Sequence, residues 1–173
     1  MADPAAFPTC THTNNCACGG EPHSYKKSYK QVLDIVRPVF VFEWGPGPNS
    51  IMAMDMPECK YVVSVEQDKK WIPDLNNDKH AVIHTRTSSP MYPSLFGCEN
   101  FDIFFIDSRR RGDCIYRVYM DCKDSAVICL HDAQRKRYHA DLARFQFVHF
   151  AFKGFAMATK SKDMYERLQE VTG

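Results

Sequence analysis

Residues 39–42, Val-Phe-Val-Phe, are apolar at every position, and they run straight into Gly45-Pro46-Gly47. A strand with no polar face must be covered on both sides, which is the condition of a strand inside a parallel sheet flanked by helices. The turn is followed by a short helical stretch, Ser50–Met56, and by a second apolar strand, Tyr61–Val65, that ends on Glu66. Glycine lets the backbone bend tightly and approach a ligand closely. A helix start offers unpaired N–H groups, and an acid about 20 residues on can accept hydrogen bonds from ribose hydroxyls. The spacing therefore describes a Rossmann-type pocket for a ligand that contains a nucleoside.

The remainder of the chain repeats the alternation. Tyr25–Val36 carries Tyr29, Val32, Leu33 and Val36 at helical spacing and stops at Pro38. Lys69–Leu75 is expected to be helical with Trp71 packed inward, and Ala81–His84 to be a third strand. Phe101–Ile106 (FDIFFI) and Ala126–Leu130 (AVICL) are further buried strands, ending on Asp107 and on His131-Asp132. Cys114–Asp121 and Tyr138–Arg144 are expected helices. Gln146–Phe150 and Phe155–Thr159 then alternate around Lys153-Gly154, a hairpin pattern. The expected fold is an α/β three-layer sandwich around a mostly parallel sheet of six or seven strands, closed by an antiparallel hairpin. Residues 1–24, rich in Pro, Thr, Asn, Gly and Cys, are read as an arm, and 25–173 as one domain.

Length and composition agree with that reading. A chain of 173 residues with 45% hydrophobic residues can bury most of its apolar surface in one core. The net charge of +1 gives no whole-molecule attraction to nucleic acid or to membranes, so any basic patch has to be local. No apolar run reaches the length of a membrane span. The N-terminus, MADPAAFPTCTHTNN, has neither the basic nor the apolar region of an export signal. Of eight cysteines, five (Cys59, Cys98, Cys114, Cys122, Cys129) fall in apparent core elements. Reduced thiols and a cytoplasmic location are the expectation.

In open α/β sheets, ligands bind beyond the carboxyl ends of the strands. Here those ends carry Glu43 to Gly47, Glu66, Thr85 to Thr87, Asp107 and His131-Asp132. EWGPGPNS, SVEQDKKW, FDIFFIDSRRR and VICLHDAQRKRY resemble successive motifs of the class I S-adenosylmethionine-dependent methyltransferases. The similarity runs from about Tyr25 to Thr159. The resemblance implies the strand order 3-2-1-4-5-7-6 and S-adenosylmethionine as cofactor. By position it places Glu43, Gly45 and Gly47 along the methionine and ribose of the cofactor. Glu66 would take the ribose hydroxyls, Gln67 or Asp68 would lie near the adenine, and Asp107 would stand beside the cofactor as well. The third glycine of a dinucleotide fingerprint is absent, and Pro46 and Pro48 remove N–H donors that a pyrophosphate would need. Both departures favour a phosphate-free cofactor over NAD or FAD. Thr85-Arg86-Thr87 stands where the family usually has an acid or Asn.

For chemistry the candidates are Asp107, His131 and Asp132. Methyl transfer is an in-line displacement at an activated sulfonium, so alignment of the acceptor and removal of its proton are the main tasks. Asp107 would orient an oxygen or nitrogen acceptor, and His131 or Asp132 would take the proton. Alternatively Asp107 and Asp132 hold Mg²⁺ through hard oxygen ligands, as the resemblance to metal-assisted O-methyltransferases suggests, although Ala133 replaces the Asn usual there. Two basic clusters, Arg109-Arg110-Arg111 and Arg135-Lys136-Arg137, follow strand ends. Arg109, Arg110 and Arg135 are candidates for binding a small or anionic acceptor, with a non-catalytic module that binds nucleic acid as the alternative. The Lys-Asp-Lys-Glu tetrad of RNA 2′-O-methyltransferases of this fold would have to use Lys30 and Asp107, and the last strand offers no Glu. In the arm, Cys10, His12, Cys16, Cys18 and His23 are ligand types suited to Zn²⁺. Their spacing matches no standard finger, and incidental cysteines in an irregular arm are expected instead.

Overall fold

The computed structural model describes residues 25–71, 78–93, 97–152 and 154–173. The arm with its Cys/His cluster, the second half of the expected helix at Lys69–Leu75, and the side chain of Trp71 lie outside the described parts. Seven strands form one sheet: β1 (Phe40–Trp44), β2 (Tyr61–Glu66), β3 (His80–His84), β4 (Ile103–Ile106), β5 (Val127–His131), β6 (Phe147–Phe152) and β7 (Phe155–Thr159). Their order is β3-β2-β1-β4-β5-β7-β6. The first five are parallel, and β7 runs antiparallel to both β5 and β6. Expected topology and observed topology coincide, and the strand count is seven.

Helices α1 (Tyr25–Val36), α2 (Pro48–Met54) and α5 (Lys162–Leu168) cover one face, while α3 (Arg111–Asp121) and α4 (His139–Leu142) cover the other. Because side chains alternate along a strand, each central strand feeds both layers. Ile103 and Phe105 of β4 join Tyr29, Leu33 and Val127 in one core, while Phe104 and Ile106 join Trp44, Ile115 and Leu130 in the other. All four β4 side chains are fully buried. Each contributes about 1.5–3 kcal/mol through the hydrophobic effect, which is why FDIFFI has no polar position inside the strand. Asp102, just before it, accepts hydrogen bonds from the Val39 and Phe40 amides (2.7 and 3.0 Å) and pairs with Lys123 (2.6 Å). It ties the entry of β4 to that of β1.

Element boundaries differ from expectation where polar residues hide the pattern. Helix α2 begins at Pro48, at the first helical position, where a missing N–H costs nothing. Helix α3 begins at Arg111, nearly a turn before Cys114, because its first turn is charged. Lys69–Trp71 is a 3₁₀ turn, and Tyr138–Arg144 resolves into a 3₁₀ turn followed by the four residues of α4. Helix α5 was not expected at all. It is short and polar, buries Leu168, and is started by Ser161, whose hydroxyl accepts from the Met164 amide (3.3 Å). No described helix is long and apolar enough to cross a membrane, and the five described cysteines are free thiols.

Candidate active site at the strand ends

The carboxyl ends of β1, β2, β4 and β5 open onto one cavity of about 630 Å³. Its first wall is the turn after β1. Gly45 has φ +93°, and a Cβ there would lie 2.2 Å from the Asp107 carbonyl oxygen. Strands β1 and β4 thus approach so closely at their ends that only glycine fits. Gly47 differs: its backbone is extended and a Cβ would lie 3.2 Å from Asn49 Oδ1. Both glycines border the cavity with Pro46, Pro48 and Asn49.

Beneath this turn Glu43 is fully buried. Its carboxylate accepts hydrogen bonds from Asn49 Nδ2, Ser50 Oγ and Ser64 Oγ, and His80 Nε2 lies 2.6 Å from Ser64 Oγ. Burial pushes the Glu43 carboxyl up to about 7 against the pull of its three donors, since burying a charge costs more than these bonds return. Glu43 sits behind the cavity wall. It acts on the wall through Asn49, which also donates to the Gly45 carbonyl (3.4 Å) and receives the Tyr25 hydroxyl (3.5 Å). Ser50 Oγ in turn accepts from the Gly47 amide (3.0 Å). The network holds the turn and the start of α2 as one unit.

Beside the turn, whose Gly45 amide donates to the Val65 carbonyl (3.1 Å), Glu66 ends β2 and borders the cavity with Gln67 and Asp68. One oxygen of Glu66 accepts from the Gln67 and Asp68 amides (2.6 and 2.8 Å), which fixes the carboxylate at the rim. Asp68 itself pairs with Lys70 (3.1 Å).

The far wall is ionic. Arg111, at the start of α3 and buried, pairs with Asp107 Oδ1 and lies 3.2 Å from Asp132 Oδ2, and it donates to the Tyr138 hydroxyl (3.2 Å). Asp132 also pairs with Arg135 (2.8 Å) and holds φ +60°, a left-handed conformation rare outside glycine and often found at functional sites. His131 Nδ1 lies 3.1 Å from Asp107 Oδ2, without the alignment of a hydrogen bond. Burial raises the Asp107 carboxyl, but the neighbouring His131 and the Arg111 charge outweigh it and hold it below the usual range. The His131 ring also packs on Tyr25, centroids 4.8 Å apart. Burial, with Asp107 and Glu43 nearby, pushes the Tyr25 hydroxyl up to about 12, so it stays a neutral donor.

The structure therefore brings Gly45, Gly47, Glu66, Gln67, Asp68, Asp107, Arg109, His131, Asp132 and Arg135 to one cavity. Arg110 is turned elsewhere. It pairs with Asp113 (2.6 Å) and donates to the Thr87 and Ser89 carbonyls (3.1 Å each), stapling the segment after β3 to α3. Lys30 is on the surface of α1, paired with Asp34, and takes no part in the cavity. Tyr25 and Asn49 are not singled out as site residues by the sequence, and Arg111 and Arg137 only as members of the basic clusters. Tyr25 and Arg111 reach the cavity only through the packing of α1 and α3, for which no local motif exists.

Asp107, His131 and Asp132 offer ligand atoms within 4.8 Å of one another, so a metal was a reasonable expectation. The residues do not fit one: the Arg111 guanidinium already stands between the two carboxylates and supplies the charge that Mg²⁺ would bring. Within the basic clusters, Arg110, Arg111 and Arg135 are each paired with carboxylates.

No protein-family model matches the chain, and no curated protein matches it in sequence. Solved structures do match in shape. A methyltransferase-like protein of Silicibacter pomeroyi superposes with TM-score 0.59 at 14% identity, covering 96% of this chain and 99% of that one. An O-methyltransferase of Bacillus cereus in complex with SAH gives 0.61 at 16% identity, covering 82% and 83%. Spermidine synthase of Thermotoga maritima gives 0.60 at 13% identity, and this chain spans 61% of its length. At these identities it is the architecture that is shared: the chain has the class I methyltransferase fold.

Proposed function

We propose that the chain is an S-adenosylmethionine-dependent methyltransferase acting on an oxygen or nitrogen acceptor. One observation carries the reading. The Gly45 turn, pressed against the end of β4 where no side chain fits, and the acid Glu66 stand side by side at the ends of paired strands and border one cavity. A nucleoside with a short, phosphate-free extension suits that shape, and the two prolines of the turn leave few N–H groups for a pyrophosphate. When bound, the cofactor supplies a methyl group on a positively charged sulfur.

The chain's own residues do the rest. Glu66 takes the ribose hydroxyls, Gln67 and Asp68 flank the adenine, and the Gly45–Gly47 backbone borders the methionine. Of the candidate bases, His131 is the better placed. Asp132 is engaged by two guanidinium groups, and Asp107, held below the usual range by His131 and Arg111, does not readily take a proton. Imidazole suits proton removal near neutral pH. With Asp107 behind Nδ1, the acceptor's proton goes to Nε2. Support from the fold is general, because spermidine synthases share it, and a fold does not fix the group transferred.

Calorimetric titration with S-adenosylhomocysteine tests the reading. Saturable binding is expected, weakened about tenfold or more by Glu66→Ala through loss of charged hydrogen bonds. Absence of binding would overturn it.

A further inference from the structure

The far wall of the cavity holds more positive charge than its ion pairs consume. Arg109, Arg111, Arg135 and Arg137 line it beside only Asp107 and Asp132. Arg111 and Arg135 are the guanidinium groups that answer these two carboxylates. Among the described residues, neither Arg109 nor Arg137 has a carboxylate partner. In a chain whose net charge is +1, this local excess is not a reflection of overall composition.

The two unpaired arginines also meet. Both border a smaller depression of about 230 Å³ over the first residues of α3, together with Arg110, Arg111, Gly112, Asp113 and Tyr138, the Asp113 carboxylate there being paired with Arg110 (2.6 Å). Arg137 is held in place there. Its guanidinium lies 4.8 Å from the centroid of the Tyr138 ring and donates to the Tyr138 hydroxyl (2.7 Å). That hydroxyl also accepts from Arg111 (3.2 Å), and Tyr138 is buried. A brace thus runs from Asp107 through Arg111 and Tyr138 to Arg137. Arg111 is itself more than nine-tenths buried, and its Nε is buried without a hydrogen-bond partner. A cation held by stacking and by a buried hydroxyl loses little conformational freedom on binding, which is what preorganisation for an anion requires. The α3 start adds the positive end of a helix of 11 residues.

Resting on the methyltransferase reading above, we propose that the acceptor carries an anionic group, a phosphate or a carboxylate. This group docks between Arg109 and Arg137 over the start of α3, while the methylated atom lies toward His131. The same charge excess repels a protonated amine, so a cationic acceptor is disfavoured.

Calorimetry on the intact chain tests this with inorganic phosphate and with acetate, each with and without S-adenosylhomocysteine. Saturable binding of one probe is expected, and the probe that saturates identifies the anion type. The double variant Arg109→Gln, Arg137→Gln, both exposed positions, is expected to weaken it at least about tenfold, since each lost contact is a charge-assisted hydrogen bond. Its S-adenosylhomocysteine affinity and thermal midpoint should stay unchanged, which separates lost recognition from lost folding. Arg137→Lys keeps the charge and should fall between the two. If neither anion saturates the wild type, or if the double variant binds as tightly as wild type, the acceptor-anion site is wrong. Failure of S-adenosylhomocysteine alone to bind would instead strike the methyltransferase reading and leave the anion result standing.

Discussion

On the β1–β2 side of the cavity the wall is backbone and hydrogen bonds around one buried acid. Beyond β4 and β5 it is a lattice of guanidinium and carboxylate groups. The first wall holds Gly45, Asn49 and the α2 start on Glu43, with Ser64 and His80 behind it. The second holds Asp107, His131, Asp132 and Arg137 around Arg111. Close approach of backbone suits a wall that grips an invariant small molecule, because its shape cannot vary without moving the sheet. Ion pairs among side chains of several loops can be exchanged without touching the sheet, which suits the wall facing a variable acceptor.

If the first wall is rigid backbone, Gly45→Ala should be the most damaging single change. A Cβ would meet the Asp107 carbonyl at 2.2 Å in a conformation L residues avoid. A loss of about 4 kcal/mol in denaturant unfolding is expected, with S-adenosylhomocysteine binding abolished. Near-normal stability and binding would show that the turn relaxes and that the close approach is incidental.

The ionic wall should break next. Arg111→Met leaves Asp107 and Asp132 facing each other without their shared cation. About 3–4 kcal/mol should be lost, as for a buried pair deprived of one partner, and the Asp107 carboxyl should rise out of its depressed range in an NMR titration. A stable variant with Asp107 still depressed would mean that His131, rather than Arg111, holds that carboxylate.

Glu43 offers a test by pH. In the folded chain its carboxyl stays protonated up to about 7, against 4.5 in the unfolded chain. Between those values the unfolded state binds fewer protons, so stability falls as pH rises from 4.5 to 7 and is level above. The drop is at most about 3 kcal/mol. Burial of His80 lowers its affinity for protons and acts in the opposite sense, costing stability as pH falls. The difference between wild type and Glu43→Gln isolates the Glu43 contribution: the wild type should lose ground to the variant as pH rises through the window. Parallel curves would place Glu43 in a better solvated site than the network implies.

The smallest effect is assigned to Arg110→Ala. It removes the staple to Thr87 and Ser89 at a cost of about 1 kcal/mol, with no change in affinity for S-adenosylhomocysteine and only a small one for phosphate, since Arg110 borders the α3 depression but is held by Asp113. A large fall in phosphate affinity would move Arg110 back to the binding wall.

Much of the fold was legible because its signals are local. VFVF, FDIFFI and AVICL lack polar positions and so report burial on both faces, and the Gly45–Gly47 turn and Glu66 mark the strand ends. Helices α5 and α4 were poorly legible for the opposite reason: each buries little, so no apolar stripe announces it. In the site, Glu43 was expected along the cofactor, and it stands behind the wall instead, since its three hydrogen-bonding partners come from two other elements. Arg109, Arg110 and Arg111 look alike in sequence, yet they point in three directions. Arg109 and Arg110 stand in the non-helical turn before α3 and Arg111 is its first residue, so one borders the cavity, one reaches the Thr87 and Ser89 carbonyls and one the buried acids.

By itself the amino-acid order determined the sheet, its strand order through the resemblance, and the glycine turn with an acid at the next strand end, because periodicity and glycine geometry act over a few residues. Only the tertiary structure decided which charges neutralise each other. Ion pairing depends on the meeting of α3 with the ends of β4 and β5, and that packing leaves Arg109 and Arg137 as the arginines of the far wall with no carboxylate partner among the described residues.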